Sequence, residues 1–435
     1  MCAMSRLRTT WPRHHLIASR SAAVLLATSS CSRLVVLQLT GAALLVALTR
    51  VTWRSALERP SSLFFSLIAL YVASLGWAGL PLAAVLLVIT RLGLTPLPDA
   101  TPLRRGEVLS FLALSCLVLA RPWTPTQWDE FVWIAKARLE SLGFGAGVRA
   151  ALDPSSGVIP AGYPPLWPSA IGWLSLHVDD IEADVLSGSL LMLACVATLV
   201  EVWRAREAQA AGRFALVILF SSPLIWVHLR STYVDLPVGL LSASLALCLT
   251  GSARPPFLAV LLAVALAGFK DEGLLHVLAA TGAALTVHGV RAWRSLLPML
   301  AAVVASATWK VLLWTHQVSG RDHAVGFPAL REAPAMLKLL ALHLGDLHSW
   351  GVFWAFAVGA LLLAASPLAR GLRVSLLLLF ALTTAALLFG PERVRAFAEN
   401  GTLLNRLLLQ LWPTAALLIG STWGAPGQAP PLNPR

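Results

Sequence analysis

Phe257-Leu-Ala-Val-Leu-Leu-Ala-Val-Ala-Leu-Ala-Gly-Phe269 is followed at once by Lys270-Asp271-Glu272-Gly273, and then by a second apolar run from Leu274 to Val287. A helix that is apolar on every side has no stripe to turn toward water, so it is either fully buried or set in lipid. Two such helices joined by three charged residues and a glycine read as a membrane hairpin whose tip leaves the hydrocarbon. A helix needs about 20 apolar residues to cross a bilayer. Read outward from the hairpin, runs of this kind recur near 33–50, 61–77, 79–95, 106–121, 183–201, 213–229, 234–250, 256–269, 272–289, 295–314, 350–366, 373–390 and 402–422. The stretch 61–94 reads as a hairpin broken at Gly79 and Pro81, or as one long tilted helix. The expected fold is an all-α polytopic transmembrane bundle of about 11–13 spans.

Composition narrows the classes further. The chain has 435 residues, 57% of them hydrophobic and 12% charged. A soluble globular chain carries roughly twice that charge, and a disordered one is poorer in apolar residues. The 17 Trp against 3 Tyr suit a protein of the lipid boundary, where indole rings lie at headgroup level. The net charge of +12 does not form a stripe for tracking phosphates, so no nucleic-acid partner is expected. Lysine occurs only at Lys136, Lys270, Lys310 and Lys338, and the arginines cluster in short loops such as Arg291–Arg294 and Arg370–Arg373. Cys2, Cys31, Cys116, Cys195 and Cys248 are scattered, with neither metal spacing nor a disulfide framework.

Arginine bias sets the sides of the membrane. Segments 202–213, 251–255, 290–294 and 367–373 are short and basic and should face the cytoplasm. Alternation then places 122–182, 230–235, 270–272, 315–349 and 391–405 outside. Before residue 106 the same alternation puts the arginine-rich N-terminus outside, against the rule. Four regions result: a basic tail over 1–32, additional N-terminal helices over 33–105, a main transmembrane unit over 106–424 and a Pro-rich tail over 425–435.

The outer segments hold most of the acids that topology does not explain, together with histidine and arginine. Ionisable groups near lipid tend to face a cavity or a partner. Trp128-Asp129-Glu130-Phe131 opens the long first outer loop, and apolar positions at 131, 134, 135, 139 and 142 predict an amphipathic helix from there. Asp129 and Glu130 fall in its first turn, where a carboxylate also complements the helix dipole. Neighbouring residues point about 100° apart, so one of the two reacts and the other anchors. Gly162-Tyr163-Pro164-Pro165 closes the loop in extended form. Tyr233-Val-Asp235-Leu-Pro237 begins one span, and Asp271 and Glu272 flank Lys270 between two others. His316 and Arg321 lie in the outer segment after the run 295–314, and Arg406 starts the last span.

The order of these motifs, ending in Asn405-Arg406 and Trp412-Pro413, resembles the GT-C superfamily of membrane glycosyltransferases over about residues 106–422. The similar branch holds the protein O-mannosyltransferases, the aminoarabinose transferases and the Rgt-type enzymes. The resemblance implies an integral protein of a bacterial cytoplasmic membrane with its site on the outer face. It implies inverting transfer of a sugar from a polyprenyl-phosphate donor to a lipid, glycan or protein acceptor. Asp129 would serve as general base with Glu130 beside it. Tyr163, Pro164, Tyr233, Asp235, Lys270, Asp271, Glu272, His316, Arg321 and Arg406 would line the substrate site, with the cations meeting the departing phosphate. No cofactor is required by this reading. A divalent metal stays open, because no ligand set of recognisable spacing is present. Two features depart from the family: apolar runs precede Asp129, and no soluble domain follows the last span. The competing class is a transporter or lipid flippase, which tends to carry paired half-repeats and charge at the bilayer midplane.

Overall fold

The computed structural model describes residues 62–79, 128–157, 162–175, 180–205, 215–251, 257–318, 332–389, 392–399 and 402–423, with isolated positions between 81 and 118. These residues are helical, and no strand occurs among them. The main helices are α1 (Ser62–Ser74), α2 (Trp128–Arg138), α3 (Ala146–Ala151), α4 (Leu166–Leu174) and α5 (Ile181–Arg204). They continue as α6 (Asp235–Thr250), α7 (Phe257–Phe269), α8 (Gly273–His288), α9 (Leu296–Thr315) and α10 (Ala333–Leu344). The last four are α11 (Phe353–Leu363), α12 (Pro367–Leu388), α13 (Glu392–Glu399) and α14 (Thr402–Trp423).

Four segments are long and apolar enough to cross a membrane: Ile181–Arg204, Gly273–Thr315, Pro367–Leu388 and Leu403–Trp423. The second contains two helices, because a 3-10 stretch over Gly289–Ser295 with Gly289 at φ 58° returns α9 alongside α8. The surface agrees with lipid. Leu300, Val303, Val311 and Trp314 of α9, Phe356 and Leu362 of α11 and Leu377 of α12 are exposed, where a water-soluble bundle would carry charge. The chain is a helical membrane protein.

The core is built around α6. All of its residues from Asp235 to Thr250 are buried, and it packs against α5, α7, α8, α12 and α14. Small residues let these backbones approach. A Cβ on Gly239 would lie 2.8 Å from the Gln410 carbonyl oxygen of α14, an atom that cannot rotate away. Gly239→Ala is therefore expected to push α14 off α6 and cost about 1–3 kcal/mol. Thermal unfolding of the purified protein in detergent measures this, and an unchanged midpoint would contradict the close approach.

The helix ends sort as the arginines do. At one end His288 Nε2 lies 2.9 Å from the Thr250 carbonyl oxygen, and Gly371 of α12 packs on Thr250. That end joins the neighbourhoods of 251–255, 290–294 and 367–373. The opposite end gathers the starts of α6, α8 and α14 and the end of α7, through side chains described below.

Several expectations require correction. The run 213–229 is not one helix: it turns at Phe220–Ser222, and Ser222 caps a short helix Pro223–His228 by accepting from the Leu224 amide. Ser-Pro ends one helix and starts another there. The run 350–366 yields only the 11-residue α11, because Gly351 at φ 56° breaks the chain after a turn over Leu347–Trp350. The outer segment 315–349 contains α10, whose Met336 and Leu340 are buried. The first described helix ends at Ser74, and Gly76 at φ 59° makes the break ahead of Gly79 and Pro81. The run 33–50, nearly all of 79–95 and most of 106–121 lie outside the described residues, as do both chain tails.

The amphipathic face of α2 is also rotated from its expected position. Trp133, Ile134 and Ala137 are buried with Glu130, Lys136 and Glu140, while Phe131, Ala135 and Leu142 are exposed. The apolar positions were assigned inward, as in water. Here Lys136 turns inward onto the Trp133 and Tyr163 rings, and Glu140 turns inward onto donors from α3 and α4.

Candidate functional site

Asp235 is the centre of the polar end. It is the first residue of α6, fully buried, and both carboxylate oxygens are occupied. Lys270 Nζ lies 2.9 Å from Oδ1, Gln410 Nε2 donates to the same oxygen at 2.7 Å, and Arg406 Nε donates to Oδ2 at 2.7 Å. Two helices, α6 and α14, and the α7–α8 turn thus meet on one carboxylate. Lys270 also reaches Glu272 Oε1 at 3.1 Å, so it bridges two acids. The Arg406 guanidinium stands 4.9 Å from the ring centre of Tyr233, a cation–π contact.

A second pair adjoins the first. Lys310 of α9 binds Asp271 at 2.8 Å and donates to the Gly162 carbonyl at 3.2 Å. Trp309 Nε1 donates to the same carbonyl at 3.1 Å. These bonds hold the Tyr163-Pro164 segment against the α7–α8 turn. Pro164 is buried, and the Tyr163 ring lies 5.8 Å from Trp133 of α2. Burial pushes the Tyr163 hydroxyl above its ordinary range, with the nearby Glu272 acting in the same direction, so it stays a neutral phenol. Burial would also raise Glu272, but Lys270 beside it outweighs that and keeps the group below the usual carboxylate value. Asp235, Asp271 and Glu272 face Lys270, Lys310 and Arg406, so the assembly carries no surplus charge.

The segment that begins with α2 docks onto this end. Thr232 Oγ1 donates to the Glu130 carbonyl at 3.3 Å, and Trp167 Nε1 donates to the Thr232 carbonyl at 2.8 Å. Asp129 is the second residue of α2, so its turn abuts the strip Thr232–Asp235. Glu130 is buried. His316 is exposed at the end of α9 and makes no side-chain contact with the cluster. Arg321 lies outside the described residues. The sequence-assigned residues therefore divide. Tyr163, Pro164, Tyr233, Asp235, Lys270, Asp271, Glu272 and Arg406 converge, whereas His316 does not.

Other outer acids have local duties. Asp180 caps α5 through the Glu182 amide, Asp346 caps the turn at Leu347, and Asp153 holds the Ser155 amide and hydroxyl. Arg138 pairs with buried Asp184 at 2.8 Å.

Three buried polar positions are not marked by the sequence reading. Gln410 and His276 are linked at 3.0 Å and tie α14 to α8 beneath the ion pairs. Both sit four residues beyond an ionisable group, Arg406 and Glu272, and that spacing on otherwise apolar helices was the available signal. The third is Glu140, fully buried between α2 and α3. Its Oε2 accepts from the Gly145 amide at 2.9 Å and Trp173 Nε1 at 3.0 Å, and its Oε1 from the Gly147 amide at 3.1 Å and Ser169 Oγ at 2.8 Å. Burial pushes its carboxyl up, and these four bonds pull against that shift. Nothing in the apolar pattern marks Glu140, because its donors come from turns.

Glu140→Ala orphans two buried amides and an indole N–H, at about 1–3 kcal/mol for each buried donor left unpaired. We expect a loss of roughly 3–5 kcal/mol overall. Glu140→Gln should lose less, about 1–3 kcal/mol, because Ser169 can turn to accept from the new amide and only one N–H is stranded. Thermal unfolding distinguishes these; equal losses would contradict the four-donor geometry.

No family model, no curated protein and no solved structure matches this chain.

Proposed function

We propose that the protein is a membrane glycosyltransferase that moves a sugar from a polyprenyl-phosphate donor to an acceptor hydroxyl at the outer face. The observation that carries this reading is the union of Lys270, Arg406, Asp235 and Glu272 at one end of an otherwise apolar bundle, beside the turn that bears Asp129. The motif order that resembles the GT-C superfamily runs through the same residues. A charged, hydrogen-bonded cluster at a lipid boundary suits a substrate with a polar head and a hydrocarbon tail.

In the proposed reaction the acceptor oxygen attacks the anomeric carbon while the bond from that carbon to the phosphate oxygen breaks. Asp129 takes the acceptor's proton, and the polyprenyl phosphate leaves with the bonding pair. Arg406, whose side chain is 21% exposed, would meet the phosphate's charge, with buried Lys270 behind it. Asp235 holds both cations in place, and Gln410 fixes Asp235. Preorganised charges of this kind need not move as charge develops.

The test compares glycans and glycolipids in a strain lacking the protein with the same strain carrying it. The proposal expects the glycosylated product to vanish and the lipid-linked sugar to accumulate on the outer leaflet. A flippase would instead leave that lipid accumulating on the inner leaflet, and this outcome would overturn the proposal.

A further inference from the structure

Two polar atoms of α8 have no protein partner. Glu272 Oε2 is buried and accepts no hydrogen bond, although its sister oxygen lies on Lys270 at 3.1 Å. One turn on, His276 is 1% exposed and its Nδ1 is equally without a partner. The protonation of that ring follows from its neighbours. Gln410 gives its NH2 to Asp235 Oδ1 at 2.7 Å, so its carbonyl oxygen is the atom 3.0 Å from His276 Nε2. Nε2 must therefore carry the hydrogen, which leaves Nδ1 of the neutral ring as a bare acceptor.

Residues four apart on a helix hold their Cβ atoms about 5–6 Å from each other. The start of α8 thus presents a carboxylate oxygen and an imidazole nitrogen on one face, both acceptors and neither filled. Asp235 offers no comparable opening, since three donors already occupy it. Two acceptors side by side repel a phosphate oxygen and want donors. Carboxylates and cations already balance around them, so a neutral donor group fits without leaving net charge. Adjacent hydroxyls of a sugar ring supply two such donors. The phosphate then falls toward Arg406, whose side chain is 21% exposed.

We propose that Glu272 Oε2 and His276 Nδ1 accept hydrogen bonds from two hydroxyls of the sugar on the lipid-linked donor, and so select the glycosylated lipid over the bare one. This rests on the glycosyltransferase reading. Glu272 has a double role: one oxygen belongs to the ion-pair network and the other reads the sugar.

The test uses the full-length protein in nanodiscs, with bare undecaprenyl phosphate and the same lipid bearing glucose, mannose or arabinose as probes. The wild type should hold at least one glycosylated lipid about tenfold more tightly than the bare lipid, the effect of about one or two good hydrogen bonds. Glu272→Gln and His276→Phe should each bring that preference within about threefold of unity. Glu272→Asp keeps the charge beside Lys270 but withdraws the free oxygen by one methylene. It should lose the preference while melting as the wild type does, which separates recognition from folding. A preference that survives all three substitutions overturns the assignment and leaves a buried water as the partner of both atoms. Equal binding of all four lipids by a wild type that still transfers sugar overturns this inference alone. A wild type that binds none of them overturns the functional reading beneath it.

Discussion

Asp235→Ala is expected to destabilise the protein by about 3–5 kcal/mol, the usual result of removing one partner from a buried ion pair. The side chain is fully buried and takes donors from Lys270 of the α7–α8 turn and from Arg406 and Gln410 of α14. Without it Lys270 keeps only Glu272, and Arg406 keeps its stacking on Tyr233. The gap also frees Gln410, and through it His276. Lys270→Met should be milder, because Asp235 retains Arg406 and Gln410 and the new side chain is apolar. The predicted order of melting temperatures in detergent is wild type, then Lys270→Met, then Asp235→Ala. If Asp235→Ala melts with the wild type, the network is not what joins α6, α7 and α14.

Asp129→Asn is expected to lower sugar transfer by a factor of about 10²–10⁴, the contribution of a general base. Asparagine keeps the shape but cannot take a proton from an attacking hydroxyl. Stability should change little, because a carboxylate in the first turn of α2 contributes only about 0.3–1 kcal/mol through the helix dipole. Transfer from a polyprenyl-phosphate donor in membranes, at matched protein level, measures the effect. Full activity in this variant would remove Asp129 from the chemistry and leave Glu130 or Glu272 to be examined as the base.

The two predictions separate what the sequence could and could not show. Apolar runs were legible because lipid imposes one simple demand on each helix. They placed α6, α7, α8, α9 and α14 to about a residue, whereas α12 starts six residues before its run and takes in the basic segment 367–373. Runs containing Ser-Pro or a left-handed glycine were overestimated, since hydropathy averages across Ser222-Pro223 and Gly351 without registering a break. The arginine-rich segments mark one group of helix ends, around Thr250, and the cluster on Asp235 gathers the opposite group. The convergence of Tyr163, Tyr233, Asp235, Lys270, Glu272 and Arg406 was anticipated from their common side, but their connectivity was not. Asp235 had been weighted like the other acids, yet it holds both cations, and Glu272 is the acid with an oxygen to spare. The buried face of α2 is rotated from the expected one, because Lys136 turns onto the Trp133 and Tyr163 rings and Glu140 onto donors from Ser169 and Trp173. Glu140 shows the limit most plainly: a residue stabilised by four turn donors leaves no periodic trace.

The proposed reaction requires this polar end to break a sugar–phosphate bond. The most direct measurement follows radiolabelled undecaprenyl-phosphate sugar with the purified protein in liposomes, using membranes from a strain lacking the protein as the source of acceptor. The predicted result is label transferred to an acceptor with release of one bare undecaprenyl phosphate for each sugar moved, lost in Asp129→Asn. Recovery of the intact glycolipid, merely redistributed between leaflets, would contradict it.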